Sequence, residues 1–229
     1  MISTKNVLKV VVLLAALAPA STSSAQYAYF PIVPTVHPAL ELDGSRIGSW
    51  AEYRATDGTF TSKQRLALVG QGPKGYLLEV RIESPLFQEP VLVRFELPAG
   101  SVKAAPQPWI DVMIGQRPPM RIFTPLPSPF PEFLDPKALV GKERISAAGR
   151  AFTTKHYRNG KGGDIFEYWV SREAPPLGFV RSVKKVGSTV SGMELLSVGE
   201  GARPEMTQVP HQVDQAEFGR ELEQNMRKR

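Results

Sequence analysis

From about Gly48 onward, apolar and polar residues alternate with period two. Tyr76, Leu78, Val80 and Ile82 fall on one side, with Glu79, Arg81 and Glu83 on the other. Val91, Val93, Phe95 and Leu97 repeat the pattern against Arg94 and Glu96. Antiparallel strands with one buried and one wet face leave this signature. Five further strands are predicted at Leu139–Ile145, Arg150–Arg158, Asp164–Ser171, Gly178–Val186 and Thr189–Val198. Between them, Asn159 to Asp164, Pro175 to Gly178 and Gly187-Ser188 supply turn chemistry. In the third of these strands, Phe166, Tyr168 and Val170 face one way and Ile165 and Trp169 the other, so something must cover both faces. The fold class expected is mainly β: a strongly curved antiparallel sheet, an open half-barrel, with a long proline-rich loop and a short C-terminal helix.

Three segments break the alternation. Gln26 to Pro38 carries Tyr27, Tyr29, Phe30 and three prolines, and reads as an extended lead, because each proline confines its predecessor to extended geometry. Between Pro106 and Pro136, nine of 31 residues are proline. That density argues against a central strand or a helix interior, and predicts a long loop studded with apolar residues such as Trp109 and Phe133. Such a loop either wraps a sheet edge or lids a ligand. Near the C-terminus, Asp214 followed by Glu217 resembles a capping box. Phe218, Leu222 and Met226 then form a narrow apolar stripe on a short helix.

The first 25 residues read as an export address. Lys5 and Lys9 precede an apolar run from Val10 to Ala18, which is shorter than the roughly 20 residues of a membrane-spanning helix. Pro19 breaks the run, and Ser23 and Ala25 are small residues placed for cleavage after Ala25. The expected organisation is a signal peptide at 1–25, an extended lead at 26–46, one β-rich domain at 47–202 containing the loop at 106–136, and a linker with the helix at 203–229. The mature protein is expected in the periplasm or outside the cell, with no transmembrane segment.

Of the 229 residues, 28 are Lys or Arg and 22 Asp or Glu. Removing the two leader lysines leaves 26 basic against 22 acidic, or +4, and these are well mixed. Nucleic-acid binding calls for a basic face or stripe, so no nucleic-acid partner is expected. The absence of cysteine excludes disulfides, thiolate-bound zinc, iron–sulfur clusters and a thiol nucleophile. No HExxH pair, G-x-S-x-G elbow or Walker-type glycine loop occurs. No catalytic residue, metal or cofactor is therefore assigned. His156 shares strand parity with Phe152 and Thr154, and Glu167 with Ile165 and Trp169. If the two meet, they could form an acid–base pair in a hydrolase.

Gly141, Glu143, Ile145, Gly149, Phe152, His156 and Tyr157, then Trp169 and Ser171, then Pro176, Leu177, Gly178 and Val180, make a spaced pattern over residues 139–200. It resembles exported bacterial proteins of the lipoprotein-carrier (LolA/LppX-like) half-barrel group. The resemblance implies a curved antiparallel sheet open on one side, in the bacterial envelope, and transfers no catalytic residue. The leading expectation is non-catalytic binding of a hydrophobic ligand, a lipid or lipoprotein moiety, on the concave face of the sheet. Tyr76, Leu78, Val93, Phe95 and Trp169 are the expected contacts, with Trp109 and Phe133 contributed by the covering loop. The alternative is an envelope interaction module that presents the loop and helix to a protein partner. A hydrolase using His156 is the third reading.

Overall fold

The computed structural model describes residues 46–56, 59–73, 75–98, 109–123, 136–161 and 163–226. The expected leader at 1–25, nearly all of the lead at 26–46, and Phe133 lie outside them. The chain is mainly β, with one open antiparallel sheet and a short C-terminal helix. A first meander comprises β1 (Trp50–Thr56), β2 (Thr61–Gln71), β3 (Gly75–Glu83), β4 (Val91–Pro98), β5 (Trp109–Ile114) and β6 (Met120–Phe123). A second comprises β7 (Leu139–Ala147), β8 (Arg150–Lys161), β9 (Asp164–Val170), β10 (Phe179–Val186) and β11 (Thr189–Gly199). The antiparallel pairing of β1 with β11 joins them into a twelve-stranded sheet, completed by the two-residue β12 (His211–Gln212) beside β6. The β12–β6 pair is parallel.

Strands β5 and β6 correct the loop expected at 106–136. Their prolines do not interrupt them: Pro106 and Pro108 precede β5, Pro118 and Pro119 lie between the two strands, and the others follow β6. Proline is excluded from the interior of a hydrogen-bonded ladder but not from its ends and corners. Ile110, Val112 and Ile114 are all buried, continuing the alternation of β4.

The core lies on one face of the first meander. Leu66, Leu68, Leu78, Val80, Val91 and Val112 are fully buried there, with Tyr53 beside them on β1. The C-terminal helix α1 (Gln215–Asn225) packs on the β6 end of this core through Phe218 and Leu222, which are 2% and 1% exposed. Asp214 caps the helix by accepting the Glu217 N–H at 2.7 Å. At the other end, buried Asn225 exchanges hydrogen bonds with the backbone of Glu89 at 2.9 and 3.0 Å. The apolar stripe of the helix is thus consumed by its own domain and is not presented to a partner.

On the opposite face of the first meander, the charged positions pair with one another. Before reaching β12, the strap at 200–210 crosses this face. Glu79, 2% exposed, accepts the backbone N–H groups of Glu205 and Met206 at 2.9 and 3.2 Å. Arg94 pairs with the same carboxylate and donates to the Met206 carbonyl. Met206 packs with Leu92 and Met113 in a small satellite cluster beneath the strap. Strap, β12 and helix therefore wrap the C-terminal segment around the β6 edge, from the charged face to the apolar one.

The buried clamp and an exposed ion pair should differ sharply in urea denaturation. Glu79→Ala leaves a guanidinium and two N–H groups without their acceptor, and should cost about 3 kcal/mol or more. Arg54→Ala breaks the pair with Glu194, in which both side chains are about half exposed, and should cost under about 1 kcal/mol. Equal losses would show that the strap is not held by Glu79.

Candidate functional site

The expected contact residues do not converge. Tyr76, Leu78, Val93 and Phe95 share the apolar face of β3 and β4. The last three are at most 6% exposed and belong to the core, and Tyr76 packs against it. Trp109 stands on the other face of β5, where the Arg121 guanidinium lies 4.1 Å from its ring and is itself held by Asp111 at 2.7 and 3.0 Å. Trp169 is far along the sheet on β9. Its face can be traced through cross-strand partners: Trp169 opposes Arg181, Arg181 opposes Glu194, and Glu194 opposes Arg54. Trp169 thus shares a sheet face with the charged side of the first meander, opposite to Leu78.

The second meander is rolled. Strands β7 and β11 have three strands between them, so in a flat sheet they would stand about 19 Å apart. They instead approach within 8 Å, Cα to Cα, without pairing. On β7 and β8 the buried side is the one bearing Ile145, Phe152, Thr154 and His156, while Lys142, Arg144 and Lys155 on the other are exposed. The Trp169 face is therefore buried on β7 to β9, and Tyr157, Val170, Phe179, Met193 and Leu195, on the face shared with Leu78, are buried as well, so the second meander buries side chains on both faces.

Within the roll, His156 sits between two carboxylates. Its Nδ1 is 2.6 Å from Glu143 Oε1 on β7, and its Nε2 is 3.3 Å from Glu167 Oε1 on β9. The imidazole stacks on Trp169, with centroids 4.3 Å apart and planes 13° from parallel. Arg158 approaches Glu167 at 3.7 Å, and the Arg181 guanidinium lies 5.3 Å from the Trp169 ring. Thr154 adds a further tie to β7 by donating to the Glu143 carbonyl at 2.9 Å. Glu167 thus does meet His156, and Glu143 is the closer partner that sequence parity did not single out. It lies diagonally across the β7–β8 pair, opposite Thr154, so only the register reveals it.

Chemically, this arrangement is a bridge. Nδ1 lies within hydrogen-bond distance of Glu143, whereas the buried Nε2 makes no hydrogen bond, its near carboxylate being Glu167 at 3.3 Å. The three residues come from three adjacent strands, and the ring ties β8 to the edge strand β7 through Glu143. Among the described residues, no group of His, Asp and Glu side chains is arranged to hold a metal ion, and no helix is long and apolar enough to cross a membrane.

The exposed apolar residues give a second feature of the same half. Leu139, Val140, Val186, Val190 and Leu196 are 37% to 60% exposed, and all lie on β7, β10 or β11. Among the described residues, the only other large apolar side chains so exposed are Ile47 and Val209, which lie outside the strands. Val140 and Leu196 coincide with register shifts in their strands, and such bulges turn a side chain away from the regular alternation.

No family model matches the chain, and no curated protein sequence matches it. Among solved structures it is similar to the hypothetical protein CT021 from Chlamydia trachomatis, at 9% identity and a TM-score of 0.41, covering 77% of this chain and 98% of that one. It is also similar to PNGF-II in two crystal forms, at 9% identity and TM-scores of 0.36 and 0.33. Those matches cover 77% and 76% of this chain but 33% and 32% of PNGF-II, so the chain spans about a third of that protein.

If His156 is a bridge, His156→Ala should free β7 in particular. Amide exchange along Leu139–Ala147 should accelerate by roughly tenfold or more, as expected for losing about 1–3 kcal/mol of local protection. Exchange in β2 to β4 should stay unchanged. Unaltered protection of β7 would show that the ring does not hold the edge.

Proposed function

We propose that the chain is a non-catalytic, exported protein of the bacterial envelope that binds a hydrophobic moiety, the acyl chain of a lipid or lipoprotein, along the seam where β7 approaches β11. The observation that carries this reading is the placement of the exposed apolar side chains. A sheet that has solved its own burial leaves charges outside, as the first meander does. Leu139, Val140, Val190 and Leu196 instead keep apolar surface in water on the two strands that form the rims of the roll. Concentrated apolar exposure of this kind marks a binding surface. Trp169, on β9 of the rolled half, is the expected contact that fits this location. Tyr76, Leu78, Val93 and Phe95 serve the core instead. The resemblance of residues 139–200 to the lipoprotein-carrier group covers this same rolled half.

A hydrolytic role for His156 is less well supported. A general base needs a ring nitrogen open to a substrate proton, and here Nδ1 is taken by Glu143 while the unpaired Nε2 is buried.

The test is binding of a dansylated C11 fatty acid to the mature chain, followed by dansyl fluorescence, alongside native mass spectrometry of protein purified from the envelope. The wild type should show saturable enhancement and a lipid-sized mass increment. Val140→Asp with Leu196→Asp should weaken binding by at least about tenfold, since burying each of these side chains against an acyl chain contributes on the order of 1.5 kcal/mol. Circular dichroism should be unchanged, because both positions are exposed. No saturable binding by the wild type, or equal binding by the double variant, would refute the seam as a lipid site.

A further inference from the structure

The His156 side chain is 12% exposed, and its two nitrogens are held unequally: Nδ1 has Glu143 at 2.6 Å, and buried Nε2 has no hydrogen-bond partner. We infer that this ring is a pH-responsive latch on the edge strand β7. With the ring protonated, β7 is held fully; as pH rises and the proton leaves, β7 loosens. The consequence for a bound acyl chain rests on the proposed lipid seam, to which β7 contributes Leu139 and Val140, but the latch itself does not.

The short contact with Glu143 assigns a proton to Nδ1 in either charge state. The charge of the ring is therefore decided at Nε2, which lies 3.3 Å from Glu167 Oε1. In the neutral ring that nitrogen carries a lone pair, and an ionised Glu167 offers only further lone pairs. Neither can donate, and a buried polar atom left unpaired is costly. Trp169 gives no relief, because its ring stacks on the imidazole with centroids 4.3 Å apart and its own buried N–H has no partner. A proton on Nε2 turns the same 3.3 Å into an attraction between opposite charges, which tolerates poorer alignment than a hydrogen bond does. The indole face beneath the ring favours the cation as well. Without that proton, the neutral ring satisfies Nε2 by swinging toward water, and doing so breaks its contact with Glu143 on β7.

The surrounding charges set the sign. Glu143 on β7 and Glu167 on β9 lie against the ring nitrogens, and both favour the cation. On β8, Arg158 approaches Glu167 at 3.7 Å from a position 56% exposed, so it offsets part of that charge. On β10, Arg181 lies 5.3 Å from the Trp169 ring, and it opposes Glu194 of β11, which in turn pairs with Arg54 of β1. Lys142 and Lys155 stand on the other face of β7 and β8. The folded form therefore binds the His156 proton more tightly than the free chain does, and β7 is held best on the acid side. Histidine ordinarily changes charge between about pH 5 and 8, above the carboxylate range near about 4.3. The loosening falls in that interval. It falls on β7 because that strand ends the sheet and pairs with β8 alone.

The experiment is amide exchange of the full mature protein at about pH 5.5 and about pH 8, corrected for the intrinsic exchange rate at each. Protection along Leu139–Ala147 should be lower at the higher pH by about fivefold or more, while that of β2 to β4 stays the same. Two variants should flatten the difference with circular dichroism unchanged: His156→Asn, which cannot titrate, and Glu167→Gln, whose amide can donate to the neutral Nε2 or accept from its N–H. The latch is overturned if protection of β7 is equal at the two pH values, or if its pH dependence survives in both variants. The dissociation rate of the dansylated C11 fatty acid gives the second readout. It should be faster at the higher pH in the wild type and lose that difference in Glu167→Gln, which controls for the titration of the fatty acid itself. A pH-dependent β7 in a protein that binds no fatty acid supports the latch and refutes the lipid seam, so the two failures are told apart.

Discussion

The pairing of β1 with β11 is the constraint on which everything else rests. It joins residues nearly the whole described chain apart, Trp50 opposite Gly199 and Thr56 opposite Gly192. Each meander is connected in sequence order, but only this ladder makes them one sheet. Glycine on β11 permits close approach to each of its neighbours. A Cβ at Gly192 would come within 2.4 Å of the Ser182 carbonyl on β10, and one at Gly199 would strike the Trp50 ring. Between them, fully buried Tyr53 donates its hydroxyl to the Phe179 carbonyl at 3.1 Å, a bond from the first meander into the second. Burial drives the Tyr53 pKa far upward, so the phenol remains a neutral donor at any pH the fold survives.

Once the halves are joined, each must still bury its apolar side chains, the first meander chiefly on one face and the second on both. The first meander puts its face under α1. That helix reaches it only because the strap is pinned on the far side by Glu79 and Arg94 and then turns around the β6 edge. Without the clamp, the β6 end of the apolar face would lose the cover of Phe218 and Leu222. The second meander has no such helix and rolls upon itself instead. Rolling buries Phe152, Thr154 and Trp169, but it leaves rims, and the rims are where apolar residues remain in water. The difference between a covered half and a self-covered half explains why exposed apolar side chains gather on β7, β10 and β11 rather than being scattered.

Much of this was legible in the residues. The five strands of the second meander fall within a few residues of the alternation read from them, because alternation reports directly on a pleated chain. The helix was legible from Asp214, Glu217 and the stripe at Phe218, Leu222 and Met226. Strands β5 and β6 were not, since averaging proline over 31 residues hid two short stretches that contain none. Reading the prolines one by one places them at strand ends, where they are permitted, and leaves Ile110, Val112 and Ile114 as an ordinary alternating run.

The site was less legible, and for a different reason. Alternation tells which residues of one strand share a face, but not which face of the next strand they meet. Leu78 and Trp169 look alike in their own strands, as aromatic or aliphatic residues at apolar positions, yet they stand on opposite faces of the sheet. His156 and Glu167 could be placed on their own strands but not brought together, and Glu143 was invisible as a partner because it sits diagonally across the β7–β8 register. The same holds for Trp50, which means little beside Ala51 and Glu52 until β2 and β3 bring Lys63, Arg65, Arg81 and Glu83 alongside it. What chemistry this sheet performs is therefore set by register, and register here descends from a single pairing of distant strands. A slip of one residue between β1 and β11 would leave every strand's pattern intact while moving Trp50 off Gly199 and turning one half's buried face toward water.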